Sequence, residues 1–481
     1  MTGSLHKIKI IALLTTGALL SVWLITSCNK STELAELHLS VESFEDVPQN
    51  GDNLRIVVES SGEFEATSSV KWLAPNITHG ASRNIVTIKV SANLTGAERT
   101  GKVIFTTPGK SASVQVTQKG GEIKLDEVEY EINVIFHILY NEDDANNPDE
   151  EKRVHVVNSA ELQRLLEDVN RLYAGQFTPK NNVDASSPDQ VVRHNSNVRF
   201  VLATHDPEGN LLSPSGIQKT AIPEKNIDPS VVMGDKTGGM YHDMAWPLTE
   251  YINIFIFPFS PMEGTDGDEF VTLGIAHFPY TVSSHPLEGL SNYDRRAESF
   301  DNYNHCIVIN LEQAQERFYA YSSHGKNLLT VTIAHELGHY LGLAHPYAEE
   351  VIDNVTQAVD NCLDSDYCED TPSYNRIAYW EGALNILSST NNSPQSLLEG
   401  LLQRTDCSGK RFTSTNVMDY EFSYNDRFTP GQIERMRHTL YYSYTVPGDK
   451  AFGDNTRAVK SVEGPEPTVA ICTLDNFKES E

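Results

Sequence analysis

The most constraining feature of the sequence is one short run, His335–His345, which reads HELGHYLGLAH. Histidines four residues apart lie on one face of a helix, so His335 and His339 can reach a single ion. Gly342 can end the helix sharply, because glycine adopts positive φ without steric cost, and the turn would return His345 toward the same ion. Three imidazoles leave a fourth tetrahedral position open, which is the arrangement of a catalytic zinc site.

Glu336 directly follows the first histidine, where its carboxylate could take a proton from water at such an ion. The alternative is an amphipathic helix that contains histidines by chance. A bare HExxH pattern arises by accident in roughly one or two of a hundred chains of this size. Glycine and a third histidine at fixed offsets reduce that frequency about a thousandfold further. The run therefore predicts a zinc-binding helix with a general base beside it.

Length and charge limit the class of protein and its partners. The 481 residues are enough for two or three domains with their own cores. The chain has 37 Lys and Arg residues against 66 Asp and Glu, which gives a net charge of −29. Such an excess of negative charge argues against nucleic acid or an anionic membrane surface as a binding partner. Most of these carboxylates are expected to form a solvated surface, and some could serve as ligands for calcium.

The first residues have the pattern of an export signal. Lys7 and Lys9 precede an apolar stretch over residues 10–25, and the sequence LITSC follows, ending at Cys28. This ending resembles a bacterial lipobox, which implies lipidation of Cys28 and an exported lipoprotein at the outer membrane or cell surface. A periplasm-facing lipoprotein stays open as well. The alternative is an uncleaved transmembrane anchor, although the apolar stretch falls just short of the usual span of about 20 residues.

The remaining cysteines suggest a disulfide without settling its pairing. Export makes disulfides permissible. A bridge among Cys362, Cys368 and Cys407 could pin the loop after the histidine run to later elements. The number of cysteines other than Cys28 is odd, so at least one thiol is free or pairs between chains. These cysteines are Cys306, Cys362, Cys368, Cys407 and Cys472.

Residues 38–119 have the pattern of an all-β unit. Alternating apolar and polar residues, as in residues 54–58, stand between short Gly, Asn, Ser and Pro turns, which is typical of an immunoglobulin-like β-sandwich. The unit resembles a BACON module at Trp72–Leu73, residues 93–101 and Val116–Gln118. That resemblance implies contact with glycan or mucin. The alternative is a spacer that holds the next domain off the membrane, and a tryptophan such as Trp72 is more often core than a sugar platform.

A second unit, residues 128–446, alternates strands with helices. Apolar runs at residues 130–138 and 252–257 predict buried strands, and Ser159 to Tyr173 has the spacing of a helix. This alternation predicts an α+β or α/β domain with a mixed twisted sheet. The predicted organisation is a signal peptide at 1–27, a tether at 28–37, the β unit, a linker at 120–127, this second domain, and a polar, loosely ordered tail at 447–481.

The sequence after the histidines resembles a known enzyme group. Asn416–Tyr420 reads NVMDY, as in the metzincin zinc peptidases, and the best match is their pappalysin-like branch, especially the lipoprotein metalloproteinases of Bacteroidetes. The resemblance implies a metzincin-type catalytic domain in which Met418 is a hydrophobic floor beneath the histidines and Tyr420 stabilises the oxyanion. For Met418 alone the alternative is ordinary core packing. Further segments that carry the resemblance are residues 197–200, 272–279, 366–372 and 428–432.

The same resemblance implies how a peptide would bind. Thr272–Phe278 would be the edge strand along which the peptide pairs, with Gly274 and Ala276 keeping that edge open to backbone hydrogen bonds. The interval from His345 to Met418 is longer than in compact relatives, mainly through residues 377–403. This insertion either shapes the primed side of the cleft or caps the lower subdomain.

The resemblance also implies a calcium site. Asp366, Asp370 and Thr371 would be its ligands, because oxygens at this spacing suit a hard cation. A plain polar loop has the same composition, and Cys368 stands where relatives often have valine. Further on, Thr429 with Pro430 and a glutamine at the third helical position predicts a capped helix start.

The function predicted from these residues is a zinc-dependent endopeptidase, exported as a lipoprotein, that acts on proteins or peptides. Glu336 would be the general base and zinc the cofactor, with calcium as a second candidate ion. The alternative from another class is a surface adhesin or glycan-binding lipoprotein whose zinc-stabilised domain is inactive. The sequence does not indicate a cleavage preference.

Overall fold

The structure is a computed structural model. It describes residues 36–70, 72–93, 96–121, 128–148, 157–176, 193–260, 262–263, 269–294, 303–311, 328–388, 394–419, 422–448, 450 and 468–474. The predicted signal peptide and Cys28 lie outside these residues, as do Tyr420 and most of the predicted tail. Among the described helices, none combines the length and apolar character needed to span a membrane.

The N-terminal unit is built from strands of one sheet. Their order is β2-β7-β6-β3-β5-β4, and β1 pairs with β3. The long strand β3 pairs with both β5 and β6, with a register shift between Ser60 and Glu63. Trp72 lies in the buried cluster of this unit, and the Arg99 guanidinium lies 4.4 Å from its ring centroid. The strands are β1 Leu37–Leu39, β2 Ser43–Val47, β3 Asp52–Ser68, β4 Leu73–Pro75, β5 His79–Val90, β6 Arg99–Thr107 and β7 Lys110–Gln118.

The second unit is a mixed sheet with helices on both faces. Its strands are β8 Tyr130–Tyr140, β9 Val198–Leu202, β10 Ile217–Ala221, β11 Tyr251–Phe257, β12 Met262–Glu263, β13 Glu269–His277, β14 Ile307–Asn310, β15 Glu349–Ile352, β16 Val355–Ala358, β17 Gln403–Thr405, β18 Arg411–Thr413 and β19 Val469–Leu474. Its helices are α1 Glu142–Ala145, α2 Ser159–Tyr173, α3 Pro229–Met233, α4 Met240–Met244, α5 Leu328–Tyr340, α6 Arg376–Leu387, α7 Pro394–Leu401 and α8 Pro430–Tyr442.

The sheet order is β10-β8-β11-β14-β13-β19-β16-β15, with β9 also paired to β8 and β12 to β13; β17 and β18 form a separate hairpin. Strand β8 runs parallel to β9, β10 and β11, and β11 runs parallel to β14. Strand β13 is antiparallel to β14. Every residue of β11 is buried, which is the pattern of a parallel strand covered on both faces. The predicted mixed sheet is therefore confirmed.

The two faces of the sheet carry different helices because side chains alternate along a strand. Ile254 and Ile256 lie in the cluster that contains the inner residues of α2 and α5. Phe255 and Phe257 lie in the opposite cluster, with residues of α3 and α4. Helix α2 begins with the Asn158 capping box, and α8 begins with the Thr429 capping box that the sequence predicted. Helix α5, which carries the histidines, packs on the sheet in the same cluster as α2 and residues of α8.

One expectation about the C-terminal tail does not hold. Residues 469–474 were expected to be loosely ordered, but they form β19 and join the sheet beside β13. The physical reason is their local composition: Val469, Ala470 and Ile471 have β-forming or apolar side chains inside an otherwise polar stretch. Ala470 is fully buried, and its two neighbours pack against the cluster on the α3 face.

Candidate metal centre

Three imidazoles converge at the end of α5. The Nε2 atoms of His335 and His339 lie 3.0 Å apart, and each lies 3.1 Å from Nε2 of His345. Gly342 makes this possible with φ of 93°, and a Cβ there would lie 2.7 Å from Thr439 Oγ1. Nitrogens bound to one zinc at about 2.0–2.1 Å in tetrahedral geometry stand roughly 3.3 Å apart, so this triangle fits the ion.

The same imidazoles are buried, and two of them have strongly lowered pKa values. Burial, followed by repulsion from His345, lowers the pKa of His335 to about 3. The pKa of His339 is likewise well below its usual range, chiefly because of burial. The three rings direct their Nε2 atoms at one another, so the lone pairs of the two neutral rings, His335 and His339, repel. A cation at their centre would relieve that repulsion, which is the chemical argument that the set fits a metal.

The outer nitrogens of the first two histidines are held by backbone carbonyls. His335 Nδ1 lies 2.9 Å from the carbonyl oxygen of Val417, and His339 Nδ1 lies 2.7 Å from that of Leu343. A carbonyl can only accept, so each Nδ1 carries the proton and each Nε2 is left with its lone pair. The tautomers required for metal binding therefore follow from the packing of the chain.

The third histidine has an acidic partner that the sequence did not indicate. His345 Nδ1 lies 2.7 Å from Glu349 Oε1, and the two side chains are 1% and 6% exposed. The His345 ring also stacks on Tyr347, with ring centroids 4.8 Å apart. A carboxylate behind a ligating imidazole orients it and makes it a stronger base. Glu349 lies at the start of β15, four residues after His345. Outside a helix, that spacing does not predict a contact between the two side chains.

Glu336 has no hydrogen-bond partner within the described part of the chain, although it is completely buried. Burial raises the pKa of its carboxyl group well above the usual range. A dication at the histidines would lower that pKa again. On the sheet side, a Cβ added to Gly274 would lie 2.8 Å from Glu336 Oε1, so strand β13 passes directly against the carboxylate.

Met418 lies beneath α5. It is fully buried, and its sulfur occupies the position where a Cβ of Gly338 would have to stand. Its backbone N–H donates to Asn416 Oδ1 at 2.8 Å, and the carbonyl oxygen of the preceding Val417 accepts a hydrogen bond from His335 Nδ1. The turn thus touches the helix at two points. Tyr420, predicted to assist the chemistry from this turn, lies outside the described residues.

A buried polar network anchors the same turn, and the sequence did not predict it. Asp419 accepts hydrogen bonds from Tyr374 Oη at 2.6 Å and from Ser414 Oγ. Arg404 Nε lies 3.5 Å from Asp419 Oδ2, and its guanidinium lies 3.7 Å from the ring centroid of Tyr379. Arg404 directly follows the predicted insertion, residues 377–403, so the end of that segment is tied to the methionine turn.

The insertion is closed by a disulfide. Cys362 and Cys407 are bonded across a sequence separation of 45, so the bridge encloses α6 and α7. Among the described residues Cys306 and Cys368 are free and buried. This disulfide ties the segment after β16 to the β17–β18 hairpin. The sequence suggested a bridge in this region but did not determine which cysteines form it.

The candidate calcium ligands are only partly brought together. Asp366 is buried, and its Oδ2 has no partner among the described residues. Burial raises the pKa of Asp366 to about 8, with Thr371 among the nearby groups. Asp370 instead accepts the backbone N–H of Gly431 at 2.9 Å, at the start of α8. The three histidines are the metal-type cluster found within the described ranges, so calcium stays a prediction.

The predicted peptide edge is covered. Gly274 and Ala276 lie on β13 next to the site, but β13 pairs with β14 on one side and with β19 on the other. Gly274 stands opposite Cys472, and Ala276 stands opposite Ala470. The expectation that this edge is open is therefore wrong for this structure, and the role of β13 in peptide binding stays a prediction. The reason is the C-terminal strand, which local patterning of β13 could not reveal.

Comparisons with known proteins agree with the sequence patterns in two segments and add little on the fold. A xyloglucanase of Bacteroides ovatus, solved with a XXXG heptasaccharide, is 15% identical and covers 47% of this chain and 37% of its own, with a TM-score of 0.18. A family 123 glycoside hydrolase from Clostridium perfringens is 8% identical and covers 37% of this chain and 43% of its own, with a TM-score of 0.16. The chain thus spans about two fifths of either structure, and these scores carry no argument. No curated protein matches the chain.

Family models identify the two units. Residues 62–119 match the BACON model, a family of N-terminal binding domains. Residues 289–441, about a third of the chain, match the model for pregnancy-associated plasma protein-A, a peptidase family, and include α5, the three histidines and Met418. The family indicates a metallopeptidase and implies zinc. Both resemblances inferred from the sequence are confirmed: the BACON model matches residues 62–119, and the model of the pappalysin-like metallopeptidase family matches residues 289–441.

Proposed function

We propose that this chain is a zinc-dependent endopeptidase with Glu336 as its general base. The observation that carries the proposal is the meeting of three Nε2 atoms 3.0–3.1 Å apart with a buried carboxylate on the same helix turn. A structural zinc site would have its fourth position filled by another protein ligand. Within the described residues no fourth metal-type ligand joins the three histidines, which favours a catalytic site.

In this proposal the histidines bind the ion and Glu336 transfers the proton. His335, His339 and His345 hold the ion, each oriented through its Nδ1. Zinc, when bound, supplies a Lewis acid that polarises the scissile carbonyl and lowers the pKa of water. Glu336 accepts a proton from the attacking water and delivers it to the leaving amine. Its burial and lack of other partners keep both carboxylate oxygens available for this transfer.

Two further roles belong to the same proposal. Tyr420, by its place in NVMDY, is proposed to donate to the oxyanion of the tetrahedral intermediate. Met418 is proposed as the apolar floor, for which its contact with Gly338 is the support. Asp366 and Thr371 are proposed to hold calcium, supported by the buried and unpartnered Asp366 oxygen.

The proposed setting is an exported lipoprotein anchored through Cys28, with protein or peptide substrates. The BACON domain is proposed to act as a spacer rather than through Trp72, because that ring is 9% exposed and covered by Arg99. Glycan contact through another surface of this domain would be detected on a glycan array with residues 36–121, and with residues 128–481 as the negative control.

The test of the function is cleavage profiling with a mixed peptide library. The soluble form of the chain, from residue 29, is compared with its Glu336→Ala and Glu336→Gln variants, each assayed with and without a zinc chelator. We expect cuts that disappear in both variants and in the chelator, while the variants keep bound zinc. Cuts that persist in the zinc-bound Glu336 variants would contradict the assignment of the base.

A further inference from the structure

The C-terminal strand lies along the part of β13 that touches the candidate site. The pairing is antiparallel, with Thr272 opposite Thr473, Gly274 opposite Cys472 and Ala276 opposite Ala470. Gly274 is the residue whose Cβ would lie 2.8 Å from Glu336 Oε1. The backbone of β19 therefore runs one strand spacing, about 4.8 Å, from the segment that contacts the general base.

Backbone elements on both sides of the histidine cluster contact residues 468–469 of this segment. On the β13 side, Phe278 makes an edge contact with the His339 ring at a centroid distance of 5.4 Å, and its N–H donates to Thr468 O at 2.9 Å. On the other side, the Val469 N–H donates to Asn354 O at 2.8 Å, in the turn between β15 and β16. Strand β15 begins at Glu349, which holds His345. Residues 468–469 thus bridge the two backbone elements that flank the ligands.

Side chains of β19 are packed into the domain beside β13. Ala470 is fully buried, and Val469 and Ile471 pack against the cluster that contains Ile275. The other edge of β13 is taken by β14, through Gly274, Ile275 and Ala276. A peptide that binds by adding a strand needs a free row of N–H and C=O groups. Within the described residues β13 has no such row left at Gly274–Ala276.

We propose that residues 468–474 are a built-in occupant of the peptide-binding edge, so that the folded chain is latent until this strand is displaced. The proposal rests on the proposed peptidase function. A segment tethered to the same chain competes with a free peptide at an effective concentration on the order of millimolar. Substrates present at micromolar concentration are therefore cleaved slowly unless they bind far more tightly or the strand is removed.

The test uses the soluble form of the chain, from residue 29, with two independent strand substitutions. Ala470→Asp places a charge at a fully buried position. Cys472→Pro removes a backbone donor on the side of β19 that faces β13, opposite Gly274. We expect each variant to cleave the peptide library with kcat/KM raised at least about tenfold, given the competition described. Hydrogen exchange at residues 272–276 should be slow in the wild type and fast in both variants.

Two controls separate displacement from general disturbance. A synthetic peptide with the sequence of residues 468–474 should inhibit the activated variants again, and a scrambled peptide of the same composition should not. Glu336→Ala in the Ala470→Asp background should abolish the gained activity.

The outcomes are distinguishable. Equal, Glu336-dependent cleavage by the wild type and both variants would overturn the latency proposal and leave the peptidase function standing. Equal hydrogen exchange at residues 272–276 in all three proteins would also overturn it. Absence of Glu336-dependent cleavage in every form would overturn both statements.

Discussion

The imidazole of His345 and the carboxylate of Glu349 lie 2.7 Å apart, Nδ1 to Oε1, and both are buried. The other two candidate ligands, His335 and His339, donate hydrogen bonds from Nδ1 to neutral backbone carbonyls. His345 is thus the one imidazole of the described cluster with an anionic partner, and its Nε2 is expected to be the most electron-rich. Removing that charge should weaken metal binding without removing a ligand.

Glu349→Gln should lower zinc affinity about 10- to 100-fold, the range found for partners of ligating histidines. The glutamine can still accept the Nδ1 proton, so the change isolates the charge. Competition with a chromophoric chelator measures the affinity. Glu350→Gln, one residue on and exposed, is the matched control and should bind zinc as the wild type does. Equal affinities for the two variants would refute the role of Glu349.

Gly274→Ala should damage catalysis while leaving zinc in place. The new Cβ would lie 2.8 Å from Glu336 Oε1 and displace the carboxylate. A displacement of about 1 Å at a reacting group can cost about 100-fold in rate. Steady-state kinetics in the Ala470→Asp background provide the measurement. Gly382→Ala, where a Cβ meets no atom within 4 Å, is the control and should keep full activity.

Met418→Ala should destabilise the protein by about 2–5 kcal/mol, because it leaves a cavity under α5. Met418→Leu nearly conserves volume and should cost less than about 1.5 kcal/mol. Urea denaturation of the zinc-free chains measures both free energies of unfolding. If both substitutions lower the free energy of unfolding by the same small amount, the packing of Met418 under α5 is contradicted.

Removing the disulfide by Cys362→Ala with Cys407→Ala should lower the free energy of unfolding by about 2–4 kcal/mol, since the bridge closes a long loop in the unfolded chain. The double substitution leaves no unpaired thiol at the bridge. Reductant should lower the denaturation midpoint of the wild type and have no such effect on the double variant. An unchanged wild-type midpoint under full reduction, checked by thiol titration, would argue against the bridge.

The buried His137 should make stability depend on pH. Burial lowers its pKa to about 4, and it stacks on Phe255 with ring centroids 4.4 Å apart. The folded state therefore resists the proton that the unfolded chain accepts near pH 6.5, and stability present above that pH is lost as pH falls toward 4. The loss amounts to about 3 kcal/mol at most for this group.

His137→Gln should flatten that part of the pH profile relative to the wild type, in unfolding experiments between pH 7 and pH 4.5. His79→Gln, at an exposed position of the N-terminal domain, should leave the slope unchanged. Identical slopes for all three proteins would show that His137 is protonated without cost.

Local patterns predicted most of the framework. Apolar runs located β8 and β11 within one or two residues, and helix α2 ends where the periodicity ends, at Tyr173. The His335–His345 run predicted the ligand cluster because i, i+4 spacing and a glycine turn are local geometry. The Thr429 capping box is likewise contained in four consecutive residues.

The remainder depends on how the chain folds back outside its regular helices. Glu349 lies only four residues after His345, but outside a helix that spacing does not determine whether the two side chains meet. Arg404, directly after the insertion, reaches Asp419 on the methionine turn. The pairing of Cys362 with Cys407 was one of several that the spacing allowed. Strand β19 was not predicted because the residues on either side of it are polar. Its pairing with β13 joins residues about 200 positions apart. Such pairings carry no local signature.

The most direct test of the account is a paired measurement of bound zinc and peptide cleavage in the Ala470→Asp chain, with and without Glu336→Gln. The account predicts one zinc per chain in both proteins and cleavage in the first alone. Cleavage of equal rate in both, or cleavage by a chain that binds no zinc, would contradict the central claim that three histidines and Glu336 form the catalytic site.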